Sequence, residues 1–479
     1  MLNLKTNFLT SIIMKKILKS KKILFASLCI ISICTNVLAQ EHLANRYWLG
    51  ILEEASLPLN LHFEVQDKDT VPMLYSPLQS NEKIAPSSFR IDADTLTISV
   101  KSLNMEARWI YNHLDSSFSG EMKQHGSKMR ITLKPSHGIF SPRRPQEPMP
   151  PFSYTEEEVV IANKKDGVTL HGTLTYPNSG SNFPVAILIT GSGTQNRDEE
   201  IFKHKPFKVL ADHLAKNGIA TLRCDDRDFG KLSESNTTSF DSAKDIECQI
   251  KFLSSHPKID KKRIGLIGHS EGAIIASIVA ANKKTKVDFV VFLGGPGVDG
   301  KETLLLQNKQ IFSLNGISDQ LIDTRLAVLK EIFDSISTGK DLAIATTNSI
   351  VKRHAKGISK DDIKTIGLNP KGVIALTYQL KSNWMKTFLN LDPCPYLGKI
   401  KCPILALNGE KDCQVLPNEN LKAIERCTNG NTKTMIIPDL NHLFQTCQTG
   451  NPDEYMFIEE TFSPTALNAI SDWIISYYK

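Results

Sequence analysis

The sequence predicts an α/β protein: a doubly wound, mostly parallel sheet with a helical cap insertion, preceded by a small antiparallel β-domain. Three observations lead there. From residue 154 onward, apolar runs of strand length alternate with helical patterns, an order that a mostly parallel sheet satisfies. Over residues 40–141 the runs instead alternate apolar and polar residues between turn signals, and none sustains helical periodicity. Between the two, Pro142, Pro145, Pro148, Pro150 and Pro151 crowd residues 142–153, which read as a stiff, extended linker.

The 479 residues open on a basic leader. Lys5, Lys15, Lys16, Lys19, Lys21 and Lys22 precede the apolar run Ile23–Cys34, and Val37-Leu38-Ala39 offers short residues for a cut after Ala39. This three-part layout predicts a secretory signal peptide over residues 1–39, with Met14 as an alternative start and an uncleaved anchor as the alternative outcome. The protein is then expected to be exported, periplasmic or secreted, and to meet a membrane only through export. Cys29 and Cys34 follow Leu28 and Ile33, which disfavours lipid attachment. Without the leader, 51 basic residues face 51 acidic ones, so the formal charge of +6 belongs to the leader. A near-neutral chain gives no reason to expect nucleic acid or an anionic membrane surface as partner. Seven cysteines remain, and they lack metal-site spacing. An exported chain can oxidise some of them. Cys394 with Cys402, or Cys413 with Cys447, are the pairs expected, while Cys224 and Cys248 read as buried thiols.

In the first domain, Leu59–Val65, Leu96–Val100 and Met129–Leu133 alternate as half-buried strands do. No catalytic constellation appears there, and His62, His113 and His125 read as structural or surface residues. Substrate binding, dimerisation and packing on the second domain are equally open as its role, so a homodimer is among the expectations.

In the second domain, residues 154–479, Val168–Leu174 and the run before it suggest an opening hairpin. Val185–Ile189, Ile219–Arg223, Ile264–Ile267, Val287–Leu293, Ile404–Leu407 and Met435–Ile437 read as strands. Phe207–Lys216 reads as an amphipathic helix stopped by Gly218, and residues 241–254 as the next helix. Ser463-Pro464 opens a last helix carrying Leu467, Ile470, Trp473 and Ile474. Residues from about 298 to about 395 break the alternation with helical pattern alone, and an insertion of that length predicts a cap over one edge of the sheet.

Gly268-His269-Ser270-Glu271-Gly272 lies between the strand Ile264–Ile267 and the helical run Ala273–Ala280. A G-x-S-x-G in that setting is a tight turn that strains its serine and stands the hydroxyl at the tip of the sheet. The bland alternative is a Gly-rich turn whose serine only caps the helix. A serine hydroxyl needs a base to become a nucleophile, and the base needs an orienting carboxylate. In elbow proteins these follow in the order serine, acid, histidine. Of twelve histidines, only His354 and His442 lie beyond the elbow. His354 sits among lysines in the cap, whereas His442 follows the strand ending at Ile437 and is the candidate base. Asp412, after Ile404–Leu407, is the candidate acid, with Glu410 and Asp439 as rivals. A tetrahedral intermediate needs fixed N–H donors for its negative oxygen. The backbone amide of Glu271 is one candidate. The other is Ser192, with Gly193 as its near alternative, in Thr190-Gly191-Ser192-Gly193-Thr194. That Gly-Ser-Gly lacks the lysine of a phosphate loop. This chemistry calls for neither metal nor organic cofactor.

With these residues the chain resembles the α/β-hydrolase superfamily, and within it exported bacterial esterases and acyl hydrolases related to the serine-aminopeptidase and dipeptidyl-peptidase groups. The resembling stretches are Thr190–Glu199, Asp225-Asp226-Arg227, Gly265–Gly272, Asn408–Val415 and Leu440–Gln445. The resemblance implies Ser270, Asp412 and His442 as a triad, and such relatives often carry an N-terminal β-domain. Asp228-Phe229 departs from it, since relatives continue there with glycine and a small residue. Arg197 and Asp198 read first as ions bracing their loop. The activity expected is cleavage of a small-molecule carboxylic ester, with a short or medium acyl or aryl group, through an acyl-enzyme. A serine peptidase acting on short peptides uses the same triad, and an aminopeptidase needs carboxylates to hold a free amine; Glu199, Glu200 and Glu271 are the candidates. A non-catalytic binding protein on the same scaffold is the third and least favoured reading.

Overall fold

The computed structural model describes residues 43–478, apart from 54–56, 68, 81, 232–235, 340–341 and 429. The leader expected over residues 1–39, with Met14, Cys29 and Cys34, lies outside the described residues. The chain divides into two units, one ending at Pro142 and one starting at Arg143.

The first unit is an antiparallel sheet of nine strands among the described residues. They are β1 (Tyr47–Leu52), β2 (Leu57–Gln66), β3 (Asp69–Tyr75), β4 (Lys83–Ile84), β5 (Ser88–Asp92), β6 (Thr95–Val100), β7 (Met105–Asn112), β8 (Ser117–Gln124) and β9 (Ser127–Ser136). Their order is β4-β3-β2-β1-β9-β8-β7-β6-β5. The period of two sends Leu96, Ile98 and Val100 of β6 and Met105, Ala107 and Trp109 of β7 to one core. Trp48 sits there edge-on to Phe63 and Phe118, with ring centroids 5.6 and 5.2 Å away. Its indole N–H donates to the Ser116 carbonyl at 2.6 Å, so the buried ring leaves no polar atom unpaired. His62 stacks on Tyr47, and His113 meets Asp94 at the surface.

The second unit carries an eight-stranded sheet. The hairpin β10 (Tyr154–Asn163) and β11 (Val168–Pro177) joins antiparallel to β13 (Ala220–Cys224). The rest is parallel: β13, β12 (Phe183–Ile189), β14 (Ile259–His269), β15 (Val290–Leu293), β16 (Ile404–Gly409) and β17 (Thr432–Ile437) lie side by side in that order. Alternate residues of β12, β14, β15 and β16 feed two cores. Val185, Ile187 and Ile189 of β12 face one, and Ala186 and Leu188 the other. Helices α1 (Pro206–Lys216), α2 (Ser239–Leu253) and α3 (Glu271–Ala281) follow β12, β13 and β14. Both faces are thereby covered, which is why these strands read as continuous apolar runs.

Between β15 and β16 the described residues make only helices: α4 (Gly300–Leu314), α5 (Asp319–Ser337), α6 (Ile344–His354), α7 (Lys360–Thr365), α8 (Pro370–Lys381), α9 (Asn383–Leu389) and α10 (Cys394–Leu397). This insertion has its own core, including Val328, Leu329, Ile332, Phe333, Val351 and Leu380. After β16 comes α11 (Pro417–Cys427), and α12 (Pro464–Tyr478) closes the chain.

The cysteine pairing differs from the expected one. Cys394 of α10 bonds to Cys427 at the end of α11, with Cα atoms 5.2 Å apart. Cys402, Cys413 and Cys447 are free. The Cys413 thiol donates to the Gly450 carbonyl and the Cys447 thiol to that of Asp439. The proline-rich stretch is fastened rather than loose from Arg143 onward. The Arg144 guanidinium donates to the carbonyls of Phe202, Met456 and Ile458. Gln146 bonds Phe462, and Glu147 pairs with Lys205 at 2.6 Å and Lys208 at 3.2 Å.

Candidate active site

β14 ends at His269 and α3 begins at Glu271, so Ser270 is the whole turn between them. Its backbone is held at φ 53° and ψ −122°, outside the helical and extended regions. Such a conformation costs about 1–3 kcal/mol and persists only where its surroundings enforce it. Here the Ser270 amide donates to the Leu293 carbonyl of β15 at 2.9 Å. The strand and helix also approach too closely for side chains. A Cβ on Gly268 would lie 2.2 Å from the Gly272 carbonyl oxygen, and one on Gly272 would lie 2.2 Å from that of Ile189.

Asp412 stands on the loop after β16 and is buried. Its Oδ1 accepts the amides of Gln414 (2.9 Å) and Val415 (2.8 Å), and its Oδ2 accepts the Asn408 side-chain amide at 3.2 Å. Oδ2 also faces Nδ1 of His442 at 2.8 Å. With Nδ1–H committed to the carboxylate, Nε2 of His442 carries the lone pair. The loop after β17 that bears His442 is fixed by Asn441, whose Oδ1 accepts the amides of Leu443 and Gln445. Gly294 makes room for the pair: at φ 57°, a Cβ there would lie 3.1 Å from His442 Nδ1 and 3.2 Å from Asp412 Oδ2. The rival acids face solvent. Glu410 accepts the Asp439 amide, and Asp439 pairs with Lys411 at 2.7 Å. His354 meets Glu331 in the helical insertion.

Ser270, His442, Ser192 and Glu271 line one cavity of about 310 Å³, with Leu304, Trp384, Met385 and Phe388 of the insertion supplying apolar wall. Gly193 lines a neighbouring cavity of about 230 Å³ instead. Glu271 borders both cavities. Its Oε1 accepts the Ser239 hydroxyl at 2.6 Å and its Oε2 the Trp384 indole N–H at 2.8 Å. Arg197 forks onto Asp225 and reaches Glu158, while Asp198 takes Arg223 at 2.6 Å, so both brace the loop after β12.

Three sets of contacts escape sequence reasoning. Glu199 is buried, and its Oε1 accepts the Gly191 amide (2.6 Å) and meets His269 Nδ1 (2.9 Å). Trp384 joins the insertion to α3 through Glu271. Asp226 lies in the second cavity, and burial pushes its carboxyl up to about 7, with Glu199 and Glu271 adding to the rise. Hydrogen bonds from the Gln195 amide and Thr190 hydroxyl oppose that rise. Each contact spans loops far apart in the chain, and no local pattern announces it. Among the described residues no group of three or more His, Cys, Asp or Glu is gathered so as to hold a metal ion.

A mostly parallel sheet with helices on both faces and a strained serine elbow at the end of its central strand, after an antiparallel β-unit, is the architecture seen in α/β hydrolases. Two family models match overlapping parts of it: Esterase FrsA-like over residues 140–326, and BAAT / Acyl-CoA thioester hydrolase C terminal over residues 246–429. Esterase EstD of Thermotoga maritima is 26% identical over 310 residues, which are 64% of this chain and 64% of that protein. This chain therefore spans less than two thirds of the length of that relative. Esterase FrsA of Vibrio vulnificus is 29% identical over 143 residues, 30% of this chain and 32% of that one. Among solved structures, the esterase Pf2001 of Pyrococcus furiosus superposes with a TM-score of 0.42 at 16% identity, covering 72% of this chain and all of that one. A dienelactone hydrolase from Anabaena variabilis gives 0.37 at 15% identity, covering 68% of this chain and 98% of that one.

Proposed function

We propose that the protein is an exported carboxylic ester hydrolase that works through Ser270, Asp412 and His442. The observation that carries this is the buried Asp412–His442 pair, with His442 and the strained Ser270 bordering one cavity. In the proposed reaction Nε2 of His442 takes the Ser270 proton as Oγ attacks the acyl carbon. The negative oxygen is received by the amides of Glu271 and Ser192, each worth about 3–4 kcal/mol of the barrier. The alcohol leaves with the histidine's proton, and water then releases the acid with the same base. The match to an esterase model and the likeness to EstD support an ester as the scissile bond. The apolar wall supports a short or medium acyl or aryl group. The match to an acyl-CoA thioester hydrolase model makes a thioester the second acyl donor to test.

The aminopeptidase alternative loses two of its candidate carboxylates. Glu271 is taken by Ser239 and Trp384, and Glu199 by Gly191 and His269. Purified protein is to be assayed on a p-nitrophenyl ester series, an acyl-thioester and an aminoacyl-anilide series beside Ser270→Ala. Ester turnover lost in the variant is the expected result. Anilide turnover without ester turnover would move the assignment to a peptidase, and failure of a fluorophosphonate to label Ser270 would end the catalytic reading.

Export is supported by the leader's layout and by the Cys394–Cys427 bond, since such bonds persist chiefly in oxidising compartments. N-terminal sequencing of the exported protein should begin at Gln40. An intact leader on cell-retained protein would overturn this part.

A further inference from the structure

His269 is buried directly before Ser270, and the ester chemistry above leaves it without a task. Its two ring nitrogens meet two acceptors. Nδ1 faces Glu199 Oε1 at 2.9 Å, and Nε2 faces the His442 backbone carbonyl at 3.0 Å. A carbonyl oxygen brings no proton, so Nε2 must donate. The ring is then doubly protonated unless Glu199 carries the shared proton. The pair also reaches the loop after β12, because Glu199 Oε1 accepts the Gly191 amide at 2.6 Å. Gly191 is packed on the elbow: a Cβ there would lie 3.2 Å from that of Ser270. Glu199 itself is held at φ 52°, a left-handed conformation that its surroundings must enforce.

We infer that Glu199 and His269 form a buried carboxylate–imidazolium pair that positions the loops on either side of Ser270. This deepens the proposed function and rests on its assignment of Ser270 and His442. The imidazolium lies with its centroid 4.7 Å from that of His442. The titratable groups facing it are Glu199, Asp412 and His442, with Glu271 and Asp226 beyond Glu199. Burial disfavours its charge, but Glu199, the His442 carbonyl and Asp412 outweigh burial and raise its pKa above the usual histidine value. Glu199 and His269 are positioning residues in this account.

The pair is tested with selectively nitrogen-15 histidine-labelled protein, the His269 ring being identified by its loss in His269→Gln. In the wild type both ring nitrogens should stay protonated at about pH 8, and in Glu199→Gln the ring should be neutral. On a p-nitrophenyl ester, Glu199→Gln should lower kcat about tenfold to a hundredfold with KM within about threefold. A neutral wild-type ring at that pH, or an unchanged kcat in a folded Glu199→Gln, overturns the inference. The wild-type spectrum decides the matter even where Glu199→Gln does not fold. It also needs no turnover, so retained activity in Ser270→Ala would sink the functional assignment and leave the charge of His269 to be read separately.

Discussion

At Asp412 four donors converge on one buried carboxylate, and three of them come from its own loop or strand. A neutral amide in its place would present N–H where those donors point and would favour the wrong tautomer of His442. Asp412→Asn should therefore lower kcat about a thousandfold or more with KM little changed, while Glu410→Gln stays near wild type. Steady-state kinetics on one ester decide between the two acids. Asp226 gives a second prediction at this scale, with the opposite electrostatics. Its folded pKa of about 7 lies above the ordinary carboxyl value, so folding takes up a proton between roughly pH 4 and that value. The stability contributed by the neutral carboxyl is complete below the unfolded pKa and is lost as pH rises through the folded one. Asp226→Asn keeps the shape without the charge. Melting curves should match the wild type near about pH 4 and show the variant melting higher at about pH 8.

The helical insertion packs on the elbow helix through Phe388 and Leu391 against Ile274, and Trp384 adds a hydrogen bond to Glu271. Trp384→Ala removes the donor to Glu271 and part of the apolar wall, leaving the Glu271 Oε2 without that partner. Raised KM for aryl and medium-chain esters, with acetate affected least, is the expected pattern; equal loss on all chain lengths would place the residue in transition-state chemistry instead. The disulfide acts on a different element. It closes a loop with a sequence separation of 33 that contains β16 and the Asp412 loop. On the loop-entropy view, Cys427→Ser should lower stability by about 3–4 kcal/mol, read as an earlier denaturation midpoint at unchanged slope.

For the whole chain, the units carry separate cores, and the second starts before its first strand. A chain beginning at residue 143 should fold and label with a fluorophosphonate. One beginning at residue 154 loses Arg144, whose guanidinium answers three carbonyls, and should be less stable by at least about 3 kcal/mol. Calorimetry of the two fragments checks this. The sequence made the elbow legible because its cause is local: two glycines and a serine between a strand and a helix. Asp412 and His442 were legible through chain order, each falling on a loop after a late strand. The strands at Leu59–Val65, Leu96–Val100 and Met129–Leu133 fall within β2, β6 and β9; alternation meets a single buried face in β6 and β9, whereas β2 is buried on both faces from Pro58 to Phe63. What stayed hidden depends on contacts between distant segments. Glu199 meets His269 across 70 positions, and Trp384 meets Glu271 across 113. Cys394 reaches past Cys402 to Cys427 because α10 packs on α11, a helix contact that cysteine spacing does not encode.

Trp384 has one more consequence. The chain has four tryptophans, of which Trp48 and Trp109 are sealed in the core of the first unit and Trp473 lies on α12. That leaves one indole at the mouth of the serine cavity, with its N–H tied to a carboxylate. Its emission is thus a built-in optical gauge of the insertion's position. In a Trp473→Phe background, a change in emission on adding an ester is expected to come from this indole of the insertion.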